Sequence, residues 1–341
     1  MSITVYPWLQ AQWDEILQRT TALPHALLFH GREGIGKLEF VRLLAQSLAC
    51  LTPDQNGAAC GNCQSCRWFA AGAHPDYREI VPEILRPDAE SAAGERKPSQ
   101  QISVDDVRGL HDFINLTGHQ VGGKTIVFYP AETLNVNAAN ALLKSLEEPP
   151  PATRFMLVAH RPSYLPATVI SRCQQVALPT PASAVAEQWL REQGVAEPAL
   201  SLAQTGNAPL AARDLNDGEY WSQRKSLLAN LAAPGMDAFS LAEAIRDFPL
   251  PRLLGWLQRW SYDLLSAKSC GRVRYNPDYA KPLGQLAARL RAVDIARFHR
   301  TLVRQQRSVH HPLNARLYIE QLLFSYAALL RGEDLADSYA R

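Results

Sequence analysis

The chain has 341 residues, of which 47% are hydrophobic and 20% are charged, and its formal net charge is +2. This composition predicts a globular protein of two or three domains, and the near-neutral charge excludes a strong overall attraction to nucleic acid. No apolar run reaches the roughly 20 residues of a membrane span, and the first residues lack the basic and apolar regions of a signal peptide, so we expect a cytoplasmic protein.

The first half of the chain alternates β and α patterns. Residues 26–29 form a short apolar run before a glycine-rich turn, and residues 37–49 carry hydrophobic side chains at helical spacing. Two further apolar runs rich in β-formers, 125–129 and 155–159, enclose a helix predicted over 138–148 that three prolines end. Strands separated by helices predict a parallel α/β sheet.

The rest of the chain carries fewer strand signals. Residues 86–100 are polar and rich in helix breakers, which predicts an exposed loop. After about residue 180 the pattern is helical. Residues 251–316 hold 13 Lys and Arg against 3 Asp and Glu, which indicates either solvated helix faces or a direct contact with DNA.

A phosphate-loop pattern follows the first predicted strand. Gly31, Gly34, Gly36 and Lys37 fit the spacing G-x-x-x-x-G-K, and the strand–loop–helix context favours a nucleotide site over a glycine turn with a surface lysine. The next position should be Ser or Thr, because that hydroxyl ligates Mg²⁺, but it is Leu38. The sequence therefore keeps the outline of a nucleotide site and lacks a metal ligand.

A second defect lies after the strand predicted at 125–129. In proteins that hydrolyse nucleotides this strand ends in Asp-Glu, which hold Mg²⁺ and polarise the attacking water. Here Pro130 and Ala131 occupy those positions, and strand alternation should point Glu132 away from the site. We expect almost no hydrolysis by this chain.

Four of the six cysteines are closely spaced: Cys50, Cys60, Cys63 and Cys66. In a reducing compartment such clusters indicate metal ligands rather than disulfides, and four thiolates suit tetrahedral Zn²⁺. Four protein ligands leave no position for water, so a structural site is expected. The alternatives are four unrelated thiols, or a zinc ribbon that also contacts DNA. Tyr6, Trp8 and Trp13 are expected to pack on the first domain.

Taken in order, several motifs resemble those of bacterial clamp-loader subunits, which are AAA+ ATPase relatives within the DNA polymerase III holoenzyme. The motifs are the phosphate loop, the four cysteines, and residues 74–76, 137–150 and 171–173. The resemblance covers about residues 5–180 and favours a catalytically degenerate member over the motor.

The resemblance implies an architecture of three domains. The first is an AAA+ α/β domain of the P-loop type with a parallel sheet, over residues 1–170, whose zinc-binding insert spans 50–66. A small helical lid over 171–210 and an all-α collar over 211–341, which oligomerises, are expected to follow.

The resemblance also implies roles for individual residues. The four cysteines match zinc ligands, and Arg172 matches an arginine finger that reaches the ATP of a neighbouring gamma subunit. Pro209 replaces an arginine that senses nucleotide in the same chain. His160 stands near a position that senses the γ-phosphate, although a packed or exposed histidine is the simpler interpretation. Weak or absent binding of ATP or ADP is expected at Gly31, Gly34, Gly36 and Lys37.

The function implied is that of a structural stator in the loading of the sliding clamp onto primer-template DNA. Its expected partners are the gamma/tau ATPase subunits and the delta subunit, with the clamp and the DNA contacted through the complex. Two alternatives stay open: an active motor ATPase of the gamma/tau type, and a zinc-ribbon protein that binds nucleic acid.

Overall fold

The structure is a computed structural model that describes residues 5–86, 98–115, 123–306, 309 and 314–333. The chain divides into two compact units, Met1–Val185 and Ala186–Arg341. The loop predicted over 86–100 falls mainly on residues 87–97, which lie outside the described residues. Among the helices that are described, none has the length and apolar character needed to cross a membrane.

A parallel sheet of five strands forms the centre of the first unit, in the order β2-β3-β4-β1-β5. The strands are β1 (Ala26–His30), β2 (Tyr77–Ile80), β3 (Lys124–Phe128), β4 (Thr153–Ala159) and β5 (Gln174–Ala177). The helices are α1 (Gln10–Leu17), α2 (Lys37–Ala49), α3 (Gln64–Ala70), α4 (Val104–Arg108), α5 (Leu110–Asn115), α6 (Val136–Glu147) and α7 (Ala167–Ile170). The predicted parallel α/β arrangement is confirmed.

Hydrophobic packing on both faces explains the central strands. Phe29 of β1 packs against Phe40 of α2, with ring centroids 5.9 Å apart. Its neighbour Leu28 points to the opposite face and joins the cluster that contains Leu142 of α6. Because successive strand residues face opposite sides, a strand covered by helices on both faces needs a continuous apolar run. This is the pattern that predicted β1, β3 and β4.

The two outer strands carry a different pattern. Residues of β2 are half-buried or exposed, and three of the four residues of β5 are exposed. Each lies at an edge of the sheet with one neighbouring strand, so neither requires an apolar run. For this reason the sequence did not predict β2 or β5.

The second unit is helical throughout its described part. Its helices are α8 (Ser183–Glu192), which begins just before the unit, α9 (Pro198–Thr205), α10 (Pro209–Asp214), α11 (Gly218–Ala232), α12 (Ala238–Ala244), α13 (Leu250–Cys270), α14 (Ala280–Arg289), α15 (Ala292–Gln305) and α16 (Ala315–Arg331). The fading of strand signals after residue 180 is confirmed.

Two separate hydrophobic clusters lie within this helical unit. A small cluster joins α8, α9 and α10, and a large one joins α11 to α16. Buried polar contacts fix the large cluster: Trp260 donates its indole N–H to the Tyr326 hydroxyl at 3.0 Å, which donates to the Leu231 carbonyl at 2.9 Å. The division into a lid and a collar at residue 210 remains a prediction.

Candidate functional site

The phosphate loop lies where the sequence places it, between the end of β1 and the start of α2. Gly34 and Gly36 have φ values of 76° and 89°, in the left-handed region that side chains other than glycine rarely adopt. Gly36 directly precedes Lys37, the first residue of α2. The loop backbone therefore turns into a helix N-terminus, as an anion-binding loop requires.

The ammonium group of Lys37 is hydrogen-bonded to the backbone of its own loop. The side chain is 3% exposed, and Nζ donates to the carbonyl oxygens of Gly31 at 2.9 Å and Arg32 at 2.6 Å. Nζ also lies 2.7 Å from Nδ1 of His160, which follows β4. An ammonium group has no lone pair, so Nδ1 is the acceptor and the neutral ring carries its proton on Nε2. A phosphate would have to displace these contacts.

Burial shifts the titration of both partners. It lowers the pKa of Lys37 to about 8, although the carboxylates of Glu132, Glu33 and Glu39 act in the opposite direction. Burial also lowers the pKa of His160 to about 4, with the charges of Lys37 and Arg161 as further causes. At neutral pH the pair is therefore a charged lysine against a neutral histidine.

This pair predicts a pH dependence of stability. The pKa of His160 is about 4 in the native state against an ordinary value of 6.5, so only the unfolded chain binds this proton between those pH values. The free energy of unfolding should fall as pH is lowered through that window. In H160Q, whose amide oxygen still accepts from Lys37, the fall from pH 7.5 to pH 4.5 should be smaller by about 1–2 kcal/mol, given the partial exposure of the ring. Denaturant unfolding at the two pH values measures the difference, and equal losses in both proteins would refute the assignment.

Two aromatic side chains near the N-terminus, Tyr6 and Trp8, pack against the phosphate loop. The Trp8 indole donates to the Ile35 carbonyl at 2.9 Å, and its ring stacks on Tyr6 with centroids 5.0 Å apart. The Tyr6 ring lies so close to Gly36 that a Cβ there would be 2.4 Å from ring carbons. The expected packing of Tyr6 and Trp8 on the first domain is confirmed, and its position against the phosphate loop was not foreseen.

The structure corrects the argument made for Glu132. Strand β3 ends at Phe128, and Glu132 lies in the 3₁₀ turn Ala131–Thr133, so strand alternation does not orient it. Its carboxylate accepts the backbone N–H groups of His160 at 2.9 Å and Arg161 at 3.0 Å. The carboxylate therefore satisfies the backbone N–H groups of the two residues that follow β4.

The other positions expected to be defective offer no side-chain oxygen. Leu38 follows Lys37 in α2, and Pro130 and Ala131 follow β3, where Ala131 is fully buried. Pro209 is the first residue of α10, a position where the fixed φ of proline suits a helix start. None of these side chains can ligate a metal or bind a phosphate by charge.

The four clustered cysteines form a second candidate site. Their Sγ atoms all lie within 4.8 Å of one another, with 3.8 Å between Cys50 and Cys63 and 3.7 Å between Cys50 and Cys66. Tetrahedral ligands with Zn–S bonds of about 2.3 Å are separated by roughly 3.8 Å. The cluster including Cys60 can therefore hold one metal ion, and its geometry is compatible with zinc.

Hydrogen bonds orient the sulfur atoms and connect the cluster to the sheet. Sγ of Cys60 accepts the Thr52 hydroxyl at 3.2 Å and the backbone N–H of Cys63 at 3.3 Å. Ser65 directly precedes Cys66 in α3. Nδ1 of buried His74 accepts the Asp76 N–H at 3.1 Å, so Nε2 donates to the Ser65 hydroxyl at 3.0 Å. Such outer contacts fix the orientation of ligands.

Arg172 lies in the turn between α7 and β5. Its side chain is 32% exposed. Nε donates to the carboxylate of Glu147 at 2.7 Å, Nη2 also contacts that carboxylate, and Nη1 donates to the Thr168 carbonyl at 2.9 Å. The guanidinium is thus held at the surface.

Arg172 and the phosphate loop lie near opposite ends of the parallel strands, the amino end of β5 and the carboxyl end of β1. His30, directly before the loop, pairs with Ala177 at the carboxyl end of β5, whereas Arg172 precedes the first residue of that strand by two positions. The Cα atoms of Gln174 and Ala177 alone are separated by roughly 10 Å along the strand. The structure therefore does not bring Arg172 together with Lys37.

Comparisons with known proteins agree on one family. A family model described as DNA polymerase III, delta subunit matches residues 9–182, and its C-terminal counterpart matches residues 218–327. The chain is 40% identical over 268 residues to DNA polymerase III subunit delta' (delta-prime) of Pseudomonas aeruginosa, which covers 76% of this chain and 77% of that protein. It is 33% identical over 292 residues to the delta' subunit of Escherichia coli, with coverage of 84% and 83%.

A relative that is named subunit tau matches less of the chain. Subunit tau of DNA polymerase III from Salmonella typhimurium is 36% identical over 151 residues, which cover 44% of this chain and 21% of that protein. The delta' relatives extend well into the helical unit. This chain therefore belongs to the delta' family of DNA polymerase III clamp-loader subunits.

Proposed function

We propose that this chain is the stator of a clamp loader and that it supplies Arg172 in trans to an ATPase subunit beside it. The complex would contain gamma/tau and delta subunits and would load the sliding clamp onto primer-template DNA. In such an arrangement the guanidinium stabilises charge on the phosphoryl group during hydrolysis at the neighbouring site.

The observation that carries the proposal is the position of Arg172. It lies half-exposed near the amino ends of the strands, whereas its own phosphate loop lies at their carboxyl ends, so its guanidinium is directed at the surface rather than at nucleotide bound by the same chain. An arginine that acts on phosphate from this position needs a phosphate held by another molecule.

The state of the chain's own loop agrees with this role. Lys37 is bound to Gly31, Arg32 and His160, and the magnesium and water-activating positions hold Leu38, Pro130 and Ala131. Each missing catalytic group typically costs orders of magnitude in rate. A subunit with a silent site and an arginine on its surface suits a stator better than a motor.

Exposed apolar side chains on α16, the last helix in the part of the chain that the structure describes, support a role of the C-terminal part in assembly. Leu317 and Phe324 of α16 are 61% and 48% exposed, and residues seven apart lie on the same face of a helix. Apolar side chains of this size on a collar helix fit the proposed contact with neighbouring subunits.

ATP turnover by the isolated protein, measured with and without primed DNA, tests the proposal. We expect no turnover above background. The K37A variant should show the same background rate, because Lys37 has no hydrolytic role. Binding of a fluorescent ATP analogue should be weak in both proteins. Robust turnover that K37A abolishes would show a motor and would refute the stator role.

A further inference from the structure

We propose that Glu147 is a positioning residue for Arg172, which it holds in the orientation that reaches the neighbouring ATP. The inference rests on the proposed function and names a residue that acts through the arginine. Glu147 is the last residue of α6, and its carboxylate accepts a hydrogen bond from the guanidinium of Arg172.

The contacts fix the guanidinium and leave part of it available. The carboxylate of Glu147 accepts a hydrogen bond from Nε at 2.7 Å and another from Nη2. The Thr168 carbonyl accepts one from Nη1 at 2.9 Å. The Ser171 hydroxyl is farther from Nη1, at 3.5 Å. A guanidinium has five N–H groups, so donors on Nη1 and Nη2 remain for phosphate oxygens.

The position of Glu147 in its helix points to this role. A carboxylate at a helix C-terminus faces the negative end of the helix dipole, which destabilises the helix by about 0.3–1 kcal/mol. Glu147 gains an ion pair there. Glu148, the next residue, is exposed and makes no ion pair within the part of the chain that the structure describes. Glu148 is therefore a matched control for substitutions of Glu147.

The geometry also predicts the direction of the effect. An arginine side chain at a surface has many rotamers, and fixing it in one of them costs conformational entropy. A contact that fixes the rotamer beforehand removes this cost from the reaction step. Loss of Glu147 should therefore lower kcat rather than weaken ATP binding, because ATP is held by the neighbouring subunit.

The test uses the reconstituted clamp loader with this chain as E147A, E147Q, E148A, R172A or R172A/E147A. At the neighbouring site, E147A should lower kcat about 10-fold with KM for ATP within about 2-fold. E147Q keeps one acceptor oxygen and should lower kcat only about 3-fold. E148A should match the wild type, and the double variant should equal R172A within about 2-fold, as for two residues that act as one unit.

Folding and the two hypotheses can be separated. Removing an acid from the end of α6 should leave the melting temperature unchanged or slightly higher, so a lower kcat would not reflect unfolding. If R172A slows turnover while E147A behaves like E148A, or if E147A raises kcat, the positioning role is refuted and the arginine finger stands. If R172A itself has no effect, the proposed function fails, and this inference fails with it.

Discussion

ATP hydrolysis by a clamp loader assembled with the R172A form of this chain should fall by at least about two orders of magnitude at the adjacent site, since arginine fingers supplied in trans contribute about 10³–10⁵ in kcat. The isolated variant should fold normally, because the side chain is partly exposed and its contacts lie at the surface. Complex formation should also persist. Single-turnover measurements on the reconstituted complex, with clamp and primed DNA, would report the chemical step directly.

Two further variants make this result specific. R172K keeps the positive charge but loses the planar fork that can contact Glu147 and phosphate together, so it should recover only a small part of the rate. R19A removes an arginine that is 65% exposed in the same unit and should leave turnover unchanged. Normal hydrolysis in the R172A complex, or equal losses in R172A and R19A, would contradict the finger role.

How far the sequence predicts this fold depends on how completely each element is buried. Strands β1, β3 and β4 are covered by helices on both faces, which forces a continuous apolar pattern that a single sequence reveals. The edge strands β2 and β5 carry polar residues, since pairing with one neighbour and solvent exposure impose no such pattern. These two strands form because each pairs with a neighbouring strand of the sheet, and the local sequence alone does not indicate them.

The candidate site divides in the same way. The missing oxygens at Leu38, Pro130 and Ala131 are a matter of residue type at a known spacing, so the sequence is sufficient. The contact of Lys37 with His160 joins residues 123 positions apart, and it depends on β1 and β4 being neighbours in the sheet. A pattern of residues could identify both side chains and could not show that they meet.

Glu132 shows where local reasoning fails. Strand alternation is a reliable guide to side-chain direction only while the strand continues, and β3 ends at Phe128. The following 3₁₀ turn directs the carboxylate to the backbone N–H groups after β4, a long-range contact with no signal in the local sequence. Glu147 was part of a recognised motif, yet its contact with Arg172 required the position of α6 beside the turn before β5.

Removal of metal from this protein should unfold the segment around the four cysteines while the rest of the chain stays folded. We expect one zinc ion per chain in the purified protein, bound by Cys50, Cys60, Cys63 and Cys66. Zinc binding contributes about 10–16 kcal/mol in small structural sites, and the cluster joins the end of α2 to the start of α3. After chelation, or in C60S, residues 50–66 should become sensitive to protease and exchange their amide protons rapidly.

The cysteines themselves provide the control for that experiment. C60S should lower zinc affinity at least about 100-fold, because it removes a ligand whose thiolate bonds the metal directly. C270S replaces an exposed cysteine outside the cluster and should keep the full metal content and the wild-type digestion pattern. Zinc should also be released as the pH falls, since the ligands must be deprotonated to bind. A purified protein without zinc, or a C60S variant with the wild-type metal content, would show that the four thiols do not form a structural metal site.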